Sequence, residues 1–445
     1  MVYISNTQND RLKMLEAIGI KNGNVDTLFK DIPLSLKPKS FKIPEGLSEY
    51  EVSQKIEAIS EKNKTNFCSF LGAGYYDHFI PAAVDAITSR SEFYTAYTPY
   101  QPEASQGTLQ AIYEYQSAIS RLTGMECANA SLYDGSTAVF EACMMALRIT
   151  SKNKILTDSG LNPISRKILY TYTSNLSIEF QEIPVVHGQS DRKKVDECID
   201  DKTAAVVLQN PNFFGSIDDY SDIIEKCHAA GALAIVSVYP ISLGLLKTPG
   251  EMGADIVIGE GQSLGLPLSF GGPYLGFMAT KKKHVRKMPG RLVGETVDSD
   301  GKRGFVLTLQ TREQHIRREK ATSNICSNQA LCALRALVYM SLMGKSGIKE
   351  VANLCFSKAE YAKSIIGKIK GVEVKKSSPT FNEFTVCLPK NAEIIFNKMS
   401  KKGFISGLPL GRYYKGMHNY MLIAVTEKHT KKQIDEFTKA LKHAI

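Results

Sequence analysis

The sequence of 445 residues contains no CxxC pair and no internal repeat. Its nine cysteines stand singly, and this spacing argues against a disulfide framework and against a cysteine-rich zinc site. We therefore expect no metal centre. Scattered cysteines are typical of a reducing compartment, and the opening MVYISNTQND lacks the basic and apolar stretches of a secretory signal. The expected location is the cytoplasm.

Long hydrophobic runs are also missing. No apolar stretch approaches the roughly 20 residues that a helix needs to cross a bilayer, so we expect no membrane. The formal net charge of +10 suits nucleic acid, a membrane surface or an acidic partner. Because no basic–aromatic motif of an RNA-binding sheet is present, we expect no nucleic acid. The alternative to an acidic partner is a solvated lysine surface.

The first of three expected regions is a helical arm over residues 1–65. Leu12, Leu15 and Ile18 share one helical face, and Ser48 with Glu51 forms a capping-box pattern before a second helix. Each helix has a short apolar face that must be buried somewhere. We therefore expect the arm to wrap around a neighbouring chain.

The other two regions are a large domain at 66–330 and a small α+β domain at 331–445. In the large domain, short apolar runs alternate with helical patterns, which indicates a mostly parallel sheet with helices on both faces. The expected strands are ILYTYT, AAVVLQN, ALAIVSVY, ADIVIGE and LGFMAT. The fold class is therefore α/β, a class that does not by itself decide function.

Five unusual strings carry a specific resemblance to a known family. They are FLGAGYYDHFIP at 70–81, FYTAYTPYQPEASQGTLQ at 93–110, QNPNFFG at 209–215, GEGQSLGLPLSFGGPYLGF at 259–277 and REQHIRREKATSNIC at 312–326. Together they resemble the alpha subunit (subunit 1) of the two-subunit P-protein, the decarboxylating glycine dehydrogenase of the glycine cleavage system. The resemblance covers essentially the whole chain.

The resemblance implies a type I pyridoxal-phosphate fold and a partner beta subunit in a heterotetramer of two alpha and two beta chains. It implies decarboxylation of glycine, with transfer of the aminomethyl group to the lipoyl arm of the H-protein. Pyridoxal phosphate is expected in the beta subunit.

This chain lacks the lysine that pyridoxal phosphate needs for its Schiff base. No lysine occurs between Lys247 and Lys281. The family's lysine position falls on Gln262 when counted back from the following prolines, and on Ser263 when counted forward from Asp255. Neither an amide nor a hydroxyl can form the imine.

The acidic partner of the pyridinium nitrogen is missing as well. Its expected position is near Ser237, and no acidic residue occurs between Glu225 and Glu251. The sequence therefore predicts that this chain binds no cofactor. It points to no catalytic residue on this chain.

A possible anion site remains at 135–138, where Gly135, Ser136, Thr137 and Ala138 open a helix with free backbone N–H groups. The preferred alternative is ordinary capping of the helix by Ser136.

A tyrosine-rich loop is the stronger signal. A proline after Thr98 disfavours helix there, so the segment is expected to be rigid. Its hydroxyl and amide groups suit either the mouth of a neighbouring subunit's site or a subunit interface. The candidate residues are Tyr94, Tyr97, Thr98, Tyr100, Gln101 and Gln106.

Arg412 is a further candidate because no other arginine follows Arg335. Its planar fork suits a carboxylate on the beta subunit or on the H-protein. The alternative is a surface arginine with a local partner.

Two other functions stay open beside the non-cofactor subunit of a glycine decarboxylase. One is a purely structural or regulatory scaffold for the beta subunit. The other is a divergent stand-alone pyridoxal-phosphate enzyme, which the missing lysine disfavours.

Overall fold

The computed structural model describes residues 5–40, 42–326, 329–375 and 378–445. The chain divides into two compact units, Met1–Thr65 and Asn66–Ile445. The finer division into three domains stays a prediction.

The first unit carries two short helices, α1 (Gln8–Ala17) and α2 (Glu49–Ser60). Both begin with a capping box, in which Thr7 pairs with Asp10 and Ser48 pairs with Glu51. Of the described residues of this unit, Leu15 is the one buried apolar side chain. The arm therefore folds locally but leaves its apolar faces open to solvent.

The second unit contains the remaining helices and all the strands of the described chain. The helices are α3 (Ala82–Thr88), α4 (Ser91–Tyr94), α5 (Gln106–Thr123), α6 (Gly135–Thr150), α7 (Pro163–Tyr172), α8 (Arg192–Cys198), α9 (Ser221–Ala229), α10 (Pro249–Met252), α11 (Gln314–Arg317), α12 (Ala330–Ile366), α13 (Ala392–Ser400) and α14 (Lys431–Ala444).

The strands are β1 (Cys68–Ser69), β2 (Cys127–Ala128), β3 (Lys154–Asp158), β4 (Glu179–Ile183), β5 (Val185–Val186), β6 (Gln189–Ser190), β7 (Thr203–Asn210), β8 (Leu233–Val238), β9 (Ile256–Glu260), β10 (Gly276–Thr280), β11 (Leu292–Val297), β12 (Arg303–Thr308), β13 (Glu373–Val374), β14 (Glu383–Cys387), β15 (Phe404–Ile405), β16 (Leu408–Pro409) and β17 (Tyr420–Ala424).

Seven strands form the central sheet in the order β2-β10-β9-β8-β7-β3-β4. Neighbours from β9 to β4 run parallel, whereas β10 is antiparallel to both β9 and β2. Helices cover both faces, so one core forms around Tyr115 and Leu208 and another around Val139 and Ile235. The expected α/β class is confirmed, and the carboxyl ends of β7, β8 and β9 meet at one edge.

One expected strand is wrong. The segment ILYTYT lies in helix α7, which Asn162 caps and Pro163 opens at the first helical position. Its β-branched and aromatic residues favour a strand, but the capping signal before them decides the local structure. The strand of this region is β3, fully buried between β4 and β7.

Helix α12 is long and apolar enough to cross a bilayer by length and composition alone. Gly344 interrupts it with φ 58° and ψ −174°, so it consists of two helices joined at a kink. The first half buries Ala336 and Tyr339 in the core of the large sheet. The second half buries Ala359 and Ile366 in the C-terminal core. These contacts are those of a core helix.

The C-terminal part forms a four-stranded antiparallel sheet in the order β13-β14-β17-β16. Helix α14 begins after Thr430, whose side chain accepts the Gln433 N–H. Ile434, Phe437 and Leu441 are completely buried against the sheet. This sheet places Glu383, at the start of β14, beside the edge of the large sheet.

Candidate functional site

A cavity of about 60 Å³ lies where the carboxyl ends of the central strands meet the start of α6. Gln209, Ser237 and Glu260 reach it from the ends of three adjacent strands. The other walls are formed by Gly74, Tyr75, Tyr76, Gly135, Ser136, Asn162, Ser165, Pro211, Val238, Tyr239, Asn382 and Glu383. Small-molecule sites commonly measure about 300–1,000 Å³, so this cavity holds a few waters or a very small ligand.

The carboxylate of Glu260 occupies the N-terminus of α6. One oxygen accepts the Gly135 N–H at 2.9 Å, and the other accepts the N–H groups of Gln262 and Leu275, both at 3.0 Å. Burial raises the pKa of Glu260 to about 7, although these three N–H groups stabilise the charged form. The helix N-terminus is therefore an anion site that the chain fills with its own carboxyl group.

Asp134 completes this end of the helix. Its side chain caps α6 by accepting the Thr137 N–H at 2.9 Å and the Thr137 hydroxyl proton at 2.8 Å. The prediction that Ser136 caps the helix is wrong, since the Ser136 hydroxyl lies 2.8 Å from that of Ser165. Asp134 extends into this position because it directly precedes the first helical residue.

Glu383 forms a second buried acid in the cavity wall. It accepts the Tyr76 hydroxyl proton at 2.7 Å and the Ala73 N–H at 2.6 Å. A Cβ on Gly72 would lie 2.3 Å from its Oε1, so the chain can approach this closely only as glycine. Burial raises the pKa of Glu383 to about 7. The two acids are therefore partly protonated at neutral pH.

Gln262 is fully engaged next to the cavity. Its carbonyl oxygen accepts the Tyr76 N–H at 2.9 Å, and its amide donates to the carbonyls of Tyr76 and Leu266 at 3.0 and 2.8 Å. Ser263 is 2% exposed, and its buried hydroxyl has no hydrogen-bond partner among the described residues. Both candidate lysine positions thus lie behind the cavity wall, and Gln262 fixes the segment that carries Tyr76.

The tyrosine loop (93–106) lies outside the cavity lining. Arg291, only 4% exposed, donates to the Tyr100 hydroxyl at 3.2 Å. Gln106 is the first residue of α5 and exchanges two hydrogen bonds with the backbone of Phe305 in β12. Tyr94 and Tyr97 stay 69% and 77% exposed. The loop is held at two points and presents aromatic rings outward.

Thr98 and Gln101 complete the candidate residues of this loop. Thr98 is partly buried, and its hydroxyl has no hydrogen-bond partner among the described residues. Gln101 is exposed, and its backbone carbonyl accepts the Ala104 N–H at 3.1 Å. The Thr98 hydroxyl is therefore buried, whereas the Gln101 side chain lies at the surface.

A basic strap (310–320) lies beside the tyrosine loop. The ring of His315 is 5.8 Å from that of Tyr100, and the Arg291 guanidinium lies 3.8 Å from the Glu313 carboxylate. Three cationic side chains of the strap are exposed: Arg317, Arg318 and Lys320. The loop and the strap therefore form one continuous surface of tyrosine and basic side chains.

A family model for the glycine cleavage system P-protein matches residues 1–441. The chain belongs to the P-protein family. The probable glycine dehydrogenase (decarboxylating) subunit 1 of Geotalea uraniireducens (strain Rf4) is 56% identical over 445 residues, 100% of both chains. The protein of the same name from Maridesulfovibrio salexigens is 53% identical, again over 445 residues and 100% of both chains.

The P-protein fold matches a solved structure over its full length. That structure, a glycine decarboxylase (P-protein) in inhibitor-bound form, is 40% identical, covers 100% of both chains and gives a TM-score of 0.93. A sphingosine-1-phosphate lyase from Burkholderia pseudomallei K96243 is 14% identical and has a TM-score of 0.66. The match covers 92% of this chain and 93% of the lyase chain. This second likeness shows the fold alone. The expected type I pyridoxal-phosphate fold is confirmed.

The residues at this P-protein's cavity do not fit pyridoxal phosphate. Among the residues that the structure describes, no lysine lines the cavity, and Ser237 stands at the end of β8 in place of an acid. The N-terminus of α6, where a phosphate would bind, faces the carboxyl groups of Asp134 and Glu260. A doubly charged phosphate there would meet like charge and would have to displace Glu260.

Arg412 pairs within its own part of the chain. Its Nε and Nη2 donate to the two carboxylate oxygens of Glu393 at 3.0 and 2.7 Å. The guanidinium also lies 5.2 Å from the ring centre of Phe396, and the side chain is 43% exposed. This two-point local pair supports the interpretation of Arg412 as a surface arginine.

Sequence reasoning missed the two buried acids of the cavity. Glu260 is the last residue of the parallel strand β9, after the apolar run IVIG, and such positions lie at the ligand edge of a sheet. That signal was available in the string GEGQ. Glu383 offered none, because it meets Tyr76 across 307 residues of sequence.

Proposed function

We propose that this chain is the non-cofactor subunit of a glycine decarboxylase and that pyridoxal phosphate is held by a second, related subunit. The single observation that carries the proposal is the carboxylate of Glu260 at the N-terminus of α6. In this chain the place for a phosphate is taken by a side chain. Together with the second subunit, the chain decarboxylates glycine and passes the aminomethyl group to the lipoyl arm of the H-protein.

The exposed apolar side chains of the arm support a permanent protein partner. Leu34 is 84% exposed, Leu36 73% and Ile18 63%. The relatives' name, subunit 1, implies that a further subunit exists. Interfaces of permanent complexes bury more than about 2,000 Å² and resemble a divided core. We therefore propose that the arm packs on the second subunit, in an assembly of two copies of each chain.

The surface formed by the tyrosine loop and the basic strap is suited to contact the partner's reaction site or an acidic carrier protein. Tyr and Arg are enriched at the centres of protein interfaces. Hydroxyls of Tyr94, Tyr97 and Tyr100 supply hydrogen bonds without adding charge. The net charge of +10 favours fast association with an acidic H-protein.

The test compares this chain alone, the second subunit alone and the co-expressed pair. Release of carbon dioxide from carboxyl-labelled glycine is measured with lipoylated H-protein present. We expect activity from the pair and none from this chain alone. Turnover by this chain in the absence of the second subunit would refute the proposal.

A scaffold that contributes no residue to the reaction is the second candidate. The small volume of the cavity, about 60 Å³, favours it. The two candidates differ at the tyrosine loop. Variants there that leave the complex assembled but slow its turnover favour the first candidate. Full turnover in every assembled loop variant favours the scaffold.

A further inference from the structure

Three side chains with metal-binding atoms converge behind the cavity. His78, Cys355 and Glu427 come from distant parts of the chain, yet one donor atom from each lies within 4.8 Å of the other two. Nδ1 of His78 is 2.7 Å from a carboxylate oxygen of Glu427, and the thiol of Cys355 is 3.5 Å from the same oxygen. The side chains of His78 and Glu427 are 2% and 10% exposed, and Cys355 is completely buried.

The surroundings orient these three donors. Nε2 of His78 makes a short hydrogen bond to the hydroxyl of Tyr239, which leaves Nδ1 directed toward the cluster. The second carboxylate oxygen of Glu427 accepts the Phe79 N–H at 2.7 Å, so the first oxygen faces His78 and Cys355. Metal-bound histidines and carboxylates are held by outer hydrogen bonds of this kind.

The donor set selects the class of ion. Thiolate and imidazole are ligands of zinc and similar soft or borderline cations, whereas magnesium and calcium prefer oxygen alone. A divalent ion with one thiolate, one carboxylate and a neutral imidazole has no net charge, which suits a buried position. We propose that His78, Cys355 and Glu427 form a binding site for a soft divalent cation, with zinc as the best match.

The two distances from the Glu427 oxygen to its neighbouring donor atoms require only a small adjustment. Zinc bonds of about 2.0–2.3 Å at tetrahedral angles place neighbouring donor atoms roughly 3.3–3.8 Å apart. The thiol-to-carboxylate distance of 3.5 Å already meets this spacing. The carboxylate oxygen must move away from Nδ1 of His78 by less than about 1 Å. The fourth position falls to a water, as in sites with three protein ligands.

An ion at this site would join three segments of the fold. His78 belongs to the segment that carries Tyr76 and Glu427 follows β17 near the C-terminus. Cys355 lies in the second half of α12, and Lys358, one turn further on, donates a short hydrogen bond to the Glu427 carbonyl. Tyr239, bound to His78, is part of the cavity wall. The site therefore stabilises the wall of the cavity from behind.

The test uses the full-length chain, stripped of metal with a chelator and titrated with cobalt(II). We expect a thiolate-to-cobalt charge-transfer band that saturates at about one equivalent and that zinc removes. Zinc should also raise the melting temperature of the stripped chain. Absence of the charge-transfer band from the wild-type chain would overturn the proposal.

The matched control is another buried cysteine of the same helix. Cys355→Ser should abolish the band and reduce cobalt affinity about tenfold or more. Cys332→Ser, at a position 6% exposed in α12, should leave both unchanged. If Cys355→Ser does not fold, His78→Asn provides the same test through lost affinity. A band that persists in both ligand variants would also contradict the site.

Discussion

The cavity at the sheet edge and the tyrosine loop belong to one chain, but their polar groups are used in opposite ways. At the cavity, Glu260 in the wall and Gln262 behind it are each held by three hydrogen bonds from the chain itself. On the loop, Tyr94 and Tyr97 extend into solvent. The polar groups at the cavity are therefore part of the internal structure, whereas the tyrosine side chains of the loop lie at the surface.

If this chain is the non-cofactor subunit, the difference gives a reason why the complete fold is kept. The loop and the strap belong to the same compact unit as the central sheet and α6, and that unit supports them. The following variants act on one side of this comparison at a time.

The arm should give the largest effect. Leu34→Asp combined with Leu36→Asp places two charges on exposed apolar positions. Each lost apolar contact costs about 1.5–3 kcal/mol in a buried interface, so the affinity for the second subunit should fall more than about a hundredfold. Co-purification of the tagged pair measures the effect.

The control for the arm is Leu176→Asp, at a leucine 42% exposed outside it. The Leu176 variant should co-purify like the wild type. If the pair with both arm leucines changed is recovered at the wild-type level, the proposed role of the arm is wrong.

Glu383→Gln tests the buried acid of the cavity wall through the dependence of stability on pH. The folded pKa of Glu383 is raised from 4.5 to about 7, so the folded chain binds more protons than the unfolded chain between these values. Its contribution to stability is therefore greatest below pH 4.5 and falls as the pH rises to about 7. The loss amounts to about 3 kcal/mol at most.

Glutamine resembles the protonated acid and cannot ionise. We therefore expect the melting temperature of Glu383→Gln to depend less on pH between 5 and 8 and to exceed the wild-type value at pH 8. Glu436→Gln, on an exposed face of α14, is the control and should follow the wild-type curve. Parallel curves for Glu383→Gln and wild type would show that the buried acid does not titrate in this range.

Tyr100→Phe tests the outer surface. The change removes one hydroxyl that Arg291 now contacts and leaves the ring in place. Loss of one positioned hydrogen bond near a reaction site commonly costs about tenfold in rate. We expect a fall of this size in kcat of the assembled complex, and a comparable fall for Gln101→Ala.

Tyr172→Phe is the matched control, since that tyrosine is 55% exposed on α7, away from the loop. Its kinetics should stay at wild-type values. If the complexes with Tyr100→Phe and Tyr172→Phe have equal kcat values, the scaffold function is favoured.

Arg412 should give the smallest effect. Its bond to Glu393 is local and both side chains are more than 40% exposed, so Arg412→Lys should lower stability by at most about 1 kcal/mol. Turnover with H-protein, and its dependence on salt, should not change. A large loss of turnover for both Arg412→Lys and Arg412→Ala would instead support the interpretation that Arg412 binds a carboxylate of a partner.

Much of the fold could be predicted because most of the buried strands of the central sheet contain an uninterrupted apolar run in the sequence. The runs AAVVLQN, ALAIVSVY, ADIVIGE and LGFMAT contain β7 to β10, and the capping pattern at Thr430 marks the start of α14. Segment ILYTYT shows the limit of this method. Its composition favours a strand, and the weaker start signal at Asn162 and Pro163 decides for a helix.

The candidate site was less accessible from sequence because its contacts are not local. The absence of lysine and of an acid near Ser237 could be seen in single segments. The bond between Glu260 and Gly135 spans 125 residues, and that between His78 and Glu427 spans 349. No spacing rule connects such pairs, and a rule based on closely spaced cysteines cannot find a cluster with one cysteine.

The most direct measurement locates the cofactor in the assembled enzyme. The co-expressed pair is reduced with borohydride in the presence of pyridoxal phosphate, the chains are separated, and pyridoxyl-lysine is mapped by peptide mass spectrometry. If this chain is the non-cofactor subunit, we expect a unique modified lysine on the second subunit and none on this chain. A pyridoxyl-lysine at one defined position of this chain would contradict it.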